Sequence, residues 1–199
     1  MEKNISRRSF LKVLGGSAVA SAPLLAGCKG AGKDESASQQ EPPKGKMTYR
    51  TNHNNGDKVS ILGYGMMRLP VEGKGSAREQ ADEAIDQEMV NREVDYAIEH
   101  GVNYFDTSPA YCQGLSERAT GIALKRHDRS KYFVATKMSN FSPDTWTRQA
   151  SQQMFENSLK ELQVDYVDYL LLHGIGMGND ALAEFNSRYM DNGILDWLV

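Results

Sequence analysis

The 199-residue chain holds only two cysteines, Cys28 and Cys112, shows no excess of positive charge, and has no long uninterrupted apolar run. Each shortage excludes something. With so few thiols, and with Cys28 assigned below to lipid, Cys112 stands alone, so neither an intrachain disulfide nor a cysteine-only metal site is available. The longest apolar stretch, Val13 to Ala26, is broken by Gly15, Gly16 and Pro23. It falls short of the ~20 apolar residues that a membrane-spanning helix needs. A formal net charge of −3 argues against binding nucleic acid, which rests on neutralising phosphates.

What is present begins with a leader. Arg7 and Arg8 precede Ser9-Phe10-Leu11-Lys12 and the short apolar stretch, the layout of a twin-arginine export signal. Leu25-Ala26-Gly27-Cys28 then resembles a lipobox, in which Cys28 is lipidated and becomes the mature N-terminus. Residues 1–27 are therefore expected to be a signal peptide handled by the twin-arginine export machinery. The product is expected to be a membrane-anchored lipoprotein facing the periplasm or the cell exterior. Removing residues 1–27 takes away four cations and Glu2, so the charge of −3 becomes −6. Twin-arginine export carries folded proteins, commonly those that take up a cofactor first. Residues 28–46, rich in Gly, Ser, Gln, Lys, Glu and Pro, are expected to be a flexible tether.

From Met47 to Val199 the pattern is that of a folded domain. Two short strands, Met47 to Thr51 and Lys58 to Leu62, flank Asn54-Asn55-Gly56-Asp57, whose Asn-Gly pair favours a hairpin. Gly63 to Pro70 is expected as a loop, Val71 to Gln87 as a polar insertion, and Glu88 to His100 as a helix closed by Gly101. Strand 103–106, helix 115–126, strand 132–137, helix 143–162 and strand 166–172 then alternate. Alternation of this kind makes βαβ units and a parallel sheet. The strands are short apolar runs, as expected when both faces are covered. The fold class is α/β, of the (β/α)8 TIM-barrel type, with about the first four βα units present behind a β-hairpin. A last helix is expected to begin near Asp191. The chain is thus expected to be an interrupted barrel whose sheet edges are open to self-association.

Asp106, Lys137 and His173 each end a predicted strand, and Tyr111 follows Asp106 in the next loop. In a parallel barrel the C-terminal strand ends meet at one mouth. A carboxylate, an ammonium, an imidazole and a phenol would then form a proton-donating site. Taken singly, such residues are more often packed or solvated than functional, and their order and placement make the case. Glu117, after Ser116, is expected to complement a helix start. Cys112 has no basic sequence neighbour to make it a reactive thiol. Asp168 is expected to pair within the sheet, and Met66-Met67 to line a pocket rather than bind metal.

Four segments, in this order, resemble the aldo/keto reductase family. They are Gly63-Tyr64-Gly65-Met66 behind the hairpin; Gly101 to Tyr111 with Gly114-Leu115-Ser116-Glu117; Ala135-Thr136-Lys137; and Val164 to His173. The resemblance implies reduction of an aldehyde or ketone, a small carbonyl substrate, to an alcohol with NADPH or NADH. It implies Tyr111 as the general acid, Lys137 as the cation that eases its deprotonation, and Asp106 as the partner that holds Lys137. His173 would orient and polarise the substrate oxygen. A free phenol has a pKa of ~10, so a neighbouring cation is needed. Gly65, Met66 and Asp106 are the implied cofactor contacts. The leader and the first strand are similar to a bacterial subset whose longer members end in an iron–sulfur segment; without a cysteine cluster, that cofactor is not supported here. No metal ligands are expected. Two other readings remain open: a non-catalytic, lipid-anchored half-barrel that pairs with another chain, and a nicotinamide-binding module without chemistry.

Overall fold

A computed structural model describes residues 43–73, 85–176 and 179–199. The expected leader, the lipidation site Cys28 and most of the tether lie outside the described residues, as does much of the polar insertion.

The Asn-Gly turn closes the expected hairpin. Gly56 takes a left-handed φ of +83°, and β1 (Tyr49–Thr51) pairs antiparallel with β2 (Lys58–Ser60). Both strands are shorter than expected: Ile61 N–H still donates to Thr48 O at 2.9 Å, but Ile61 and Leu62 are exposed and lie past the paired register, which ends at Tyr49 and Ser60. The hairpin is fastened to the N-terminal ends of the strands that follow. Asn103 Nδ2 donates to the Lys58 carbonyl at 2.9 Å, and its Oδ1 accepts from Ser60 N at 2.8 Å. At the far side, the Tyr169 hydroxyl donates to Asp57 Oδ2 at 2.6 Å.

The main sheet has four parallel strands in chain order: β3 (Tyr64–Gly65), β4 (Tyr104–Asp106), β5 (Phe133–Met138) and β6 (Tyr169–Leu172). Four consecutive parallel strands with helical crossovers form successive βα units of the (β/α)8-barrel type. Two boundaries depart from expectation. The Gly63–Pro70 segment is not wholly loop: Tyr64 and Gly65 pair with Phe105 and Asp106. Strand β6 begins at Tyr169 rather than Tyr166, because the Asp168 carboxylate takes over the ladder position: its Oδ2 accepts from Val134 N at 2.7 Å and from Arg129 Nη2 at 2.6 Å.

Helix α1 (Gln87–Glu99) starts at Asp86, whose Oδ1 accepts from Met89 N at 2.9 Å. This cap satisfies one of the free amides of the first turn. Gly101 follows with φ +90°, and a Cβ there would lie 2.8 Å from both Met47 Cβ and Tyr49 Oη. Helix α2 (Ser116–Leu124) and helix α3 (Arg148–Leu162) cover the same face of the sheet as α1. The expected helix over 143–162 is split: Pro143–Thr145 makes one 3-10 turn, and Thr147 then caps α3 through Ala150 N at 3.2 Å. Beyond β6, α4 (Ala181–Phe185) runs into a π-helical turn, Asn186–Met190, and then α5 (Ile194–Leu198). The first two of these had no counterpart in the sequence pattern. The expected start near Asp191 moves to Ile194 because Gly193, at φ +68°, turns the chain.

The larger core packs Val90, Val94, Phe105, Ala119, Ala123, Leu124, Val134 and Leu162 between sheet and helices. Fully burying a side chain such as Phe105 or Val134 contributes about 2 kcal/mol. A smaller core joins Met138, Tyr189 and Ile194 with Phe155 and Trp197.

Helices α2 and α3 touch so closely at Gly121 that a Cβ there would come within 2.5 Å of the Leu162 carbonyl oxygen and 2.6 Å of its carbon. These are backbone atoms and cannot swing aside. Gly121→Ala should therefore cost about 1–3 kcal/mol of stability, despite the better helix propensity of alanine. Urea denaturation should show a lower midpoint with an unchanged slope.

Candidate active site

Strand register decides which side chains meet. Asp106 is opposite Ala135, and Lys137 opposite Leu171, so Asp106, Lys137 and His173 all fall at C-terminal strand ends. The ladder continues for one step beyond: Thr107 N donates to Ala135 O at 2.9 Å and His173 N to Met138 O at 3.2 Å.

Lys137 Nζ is bound by Asp106 Oδ1 and donates also to the Thr107 carbonyl at 2.8 Å. The lysine side chain is 11 % exposed and the aspartate 28 %. Partial burial strengthens such a pair relative to water and fixes where the ammonium sits. The ammonium lies 4.7 Å from the centre of the Tyr111 ring. Among the described residues its hydrogen bonds go to Asp106 and Thr107, so its approach to Tyr111 is over the ring.

Tyr111 opens a 3-10 turn, Tyr111–Gly114, and its N–H donates to Ser108 O at 3.1 Å. The next two residues, Cys112 and Gln113, have φ of +48° and +55°. This left-handed pair turns the chain so that Cys112 points inward while Tyr111 stays partly exposed. The Cys112 thiol donates to Met67 O at 3.3 Å, and burial pushes its pKa up. It is a packing residue.

The His173 ring meets the Tyr111 ring edge to face, with centres 5.5 Å apart at 89°, and leans on Phe141 with centres 4.8 Å apart. Its Nδ1 is 2.7 Å from Ser139 Oγ and 3.2 Å from Ser108 Oγ. Its pKa is lowered, first by burial and then by the Lys137 charge, so the ring favours its neutral form. The four residues expected from strand ends are thus one contiguous cluster.

Two of the expected cofactor contacts behave differently. Gly65 is exposed, with nothing within 4 Å of where a Cβ would stand. Met66 is fully buried in the larger core instead of lying at an accessible surface. Its backbone is also engaged: the N–H donates to Asp106 O at 2.8 Å, and the carbonyl accepts from Ser116 Oγ at 2.7 Å. Chain direction explains this. Once Gly65 faces out, the following side chain faces the helices, and the partly exposed neighbour is Met67.

Several contributors had no clear sequence signal. Arg188 is 1 % exposed, and its guanidinium donates to His173 O at 2.6 Å, Glu184 Oε1 at 2.9 Å and Asn140 Oδ1 at 3.2 Å. It holds the backbone under the imidazole. Ser139 could have been found, since it lies two residues after Lys137 and alternation puts both on one face. Glu117 was expected only as a helix-start charge. It is in the first turn of α2, but it is 3 % exposed and accepts from Thr136 Oγ1, next to Lys137.

A parallel α/β sheet of the barrel type thus gathers a phenol, an ammonium, a carboxylate and an imidazole at its strand ends, where barrel enzymes carry their sites. The model of the aldo/keto reductase family matches residues 61–192, and the chain belongs to that family. It is 35 % identical over 137 residues to the L-galactose dehydrogenase of Arabidopsis thaliana, covering 67 % of this chain and 40 % of that protein. It is 32 % identical over 127 residues to the aldo-keto reductase AKR2E4 of Bombyx mori, covering 60 % of this chain and 36 % of that protein. Among solved structures, it resembles the holo form of the aldo-keto reductase AKR11C1 of Bacillus halodurans. That likeness has a TM-score of 0.50 at 28 % identity and covers 74 % of this chain and 48 % of the other. The chain therefore spans less than half the length of the curated relatives it matches.

Burial raises the Glu117 pKa in the folded chain, an effect only partly offset by the Thr136 and Ser158 hydroxyls. Between the unfolded and folded values the folded state binds more protons, so stability should fall as pH rises through that window. Glu117→Gln should flatten this fall. Urea denaturation at a series of pH values, from that of an ordinary glutamate upward, checks it.

Proposed function

We propose that this chain carries the proton-donating part of an NAD(P)H-dependent reductase that converts a small aldehyde or ketone to its alcohol. The observation that carries the reading is the Lys137 ammonium, anchored by Asp106 and set 4.7 Å from the Tyr111 ring centre. Tyr111 gives its proton to the substrate oxygen. The Lys137 charge stabilises the phenolate left behind, and Asp106 and the Thr107 carbonyl keep that charge in place. His173 aims at the same oxygen and stabilises the negative charge that develops there.

The cofactor supplies the hydride when bound. The Bombyx mori relative has been solved in complex with NADP. The residues present suit the reactive end of such a molecule. Gly65 leaves open space beside Asp106, its register partner. Among the described residues Asp106 Oδ2 has no protein hydrogen-bond partner, leaving an acceptor suited to a sugar hydroxyl. Lys137 and Arg188 are both engaged by protein groups, so no phosphate contact is assigned to them.

The same proposal includes export by the twin-arginine route and anchoring through lipid on Cys28, supported by Arg7-Arg8, the short apolar stretch and Leu25-Ala26-Gly27-Cys28. Cys28→Ala should leave the exported product unlipidated and move it from the membrane fraction to the soluble one. Fractionation with a mass measurement of the mature N-terminus reads this directly.

Turnover is measured as loss of NADPH absorbance with a panel of small aldehydes. Tyr111→Phe should reduce it by about 10²–10⁴-fold, the usual contribution of a positioned general acid, while the circular dichroism spectrum stays unchanged. Full turnover by the variant would remove Tyr111 from its role.

A further inference from the structure

The cluster contains a second, smaller network that the proton-donating role does not use. Ser108 and Ser139 both approach Nδ1 of His173, at 3.2 and 2.7 Å, and their hydroxyls are 2.8 Å from each other. Ser108 is fully buried and Ser139 is 8 % exposed, so solvent offers neither of them an easy alternative. One direction in the network is fixed by the backbone: Ala110 N–H donates to Ser108 Oγ at 3.0 Å. Ser108 already accepts there, and its single hydrogen can go to Ser139 or to the imidazole.

Two arrangements can be compared. If Nδ1 is bare, Ser108 donates to Ser139 and Ser139 donates to Nδ1. The run Ala110 N–H, Ser108, Ser139, imidazole then points one way, with each step between 2.7 and 3.0 Å. If Nδ1 carries the proton, it donates to Ser139 at 2.7 Å or, less favourably, to Ser108 at 3.2 Å, and in either case Ser108 gives its own hydrogen to Ser139. The Ser139 hydrogen is then left with the Lys137 carbonyl at 3.4 Å, the outer limit of a hydrogen bond. The first arrangement gives every buried hydrogen a good acceptor, and aligned hydroxyls reinforce one another. The second wastes one.

The geometry points to Ser108 and Ser139 as positioning residues that fix His173 as the Nε2–H tautomer. Nε2 has no protein partner among the described residues, so its hydrogen is available outward as a donor. The ring is also held mechanically. Phe141 packs at 4.8 Å, Tyr111 lies edge to face at 5.5 Å, and Arg188 binds the His173 carbonyl at 2.6 Å. The serines therefore settle the proton's location while the neighbours settle the ring's plane. This inference rests on the proposed role of His173 toward a substrate oxygen, because a bare Nε2 would repel that oxygen where a protonated one attracts it.

Nitrogen-15 chemical shifts of the imidazole test it without turnover, so a missing reductase activity and a wrong tautomer are separate results. At a pH where His173 is neutral, the full chain should show a protonated Nε2 and a bare Nδ1. Ser139→Ala should move the ring to a mixture of tautomers. Ser139→Thr, which keeps the hydroxyl, should restore the single form. Ser108→Ala, which removes the relay's first hydroxyl and leaves Ser139 in place, should give a smaller shift in the same direction. A protonated Nδ1 in the unaltered chain, or an unchanged tautomer in well-folded Ser139→Ala as judged by its amide spectrum, overturns the inference. If Ser139→Ala does not fold, the Ser108→Ala spectrum decides on the same criterion.

Discussion

An ammonium held in a partly buried place by one carboxylate and one carbonyl is the interaction around which this molecule is arranged. Lys137 is held beside the Tyr111 ring because Asp106 and Thr107, both from the neighbouring strand end, accept two of its three hydrogens. Parallel pairing of β4 with β5 is the reason those partners are there at all. A register shift by one residue would turn Lys137 to the helix side and dissolve the site. The larger core under α1, α2 and α3 therefore bears on the cluster through alignment, and it adjoins it at Phe105, Cys112 and Met66, whose N–H donates to Asp106 O.

A second layer of polar groups supports the first. Arg188, from the π-helical turn after α4, reaches back to the His173 carbonyl and is itself satisfied by Asn140 and Glu184. Removing such a buried cation strands its partners, a larger penalty than the pair's net contribution. Glu117 does a related service on the other side, tying α2 to Thr136 on β5. Both lie within one residue of a strand-end group or beneath it, and neither faces the open side of the site.

The strand ends were legible in the sequence because, in a βαβ chain, a short apolar run that stops at a charged or polar residue marks the point where a strand leaves the core. Asp106, Tyr111, Lys137 and His173 emerged from that logic and came together in the fold. Gly101 as a helix stop and Asn54-Asn55-Gly56-Asp57 as a turn were legible for a local reason, backbone conformation. The remainder was hidden because it depends on where distant segments land. Arg188 lies 15 residues beyond His173, in a turn whose helical type the periodicity did not betray. Met66 was misplaced because alternation at a two-residue strand gives too little pattern to tell inside from outside. The late start of β6 reflects a side chain, Asp168, standing in for backbone, which composition cannot show.

The bend at Cys112 and Gln113 limits how this loop can vary. Left-handed backbone at two successive residues other than glycine costs roughly 1–2 kcal/mol at each, and the surrounding packing must repay it. Among descendants of this chain, asparagine, aspartate or glycine at 113 could keep the path. A valine or isoleucine would force a rerouted loop and carry Tyr111 away from Lys137 and His173, taking the cluster apart without touching the phenol.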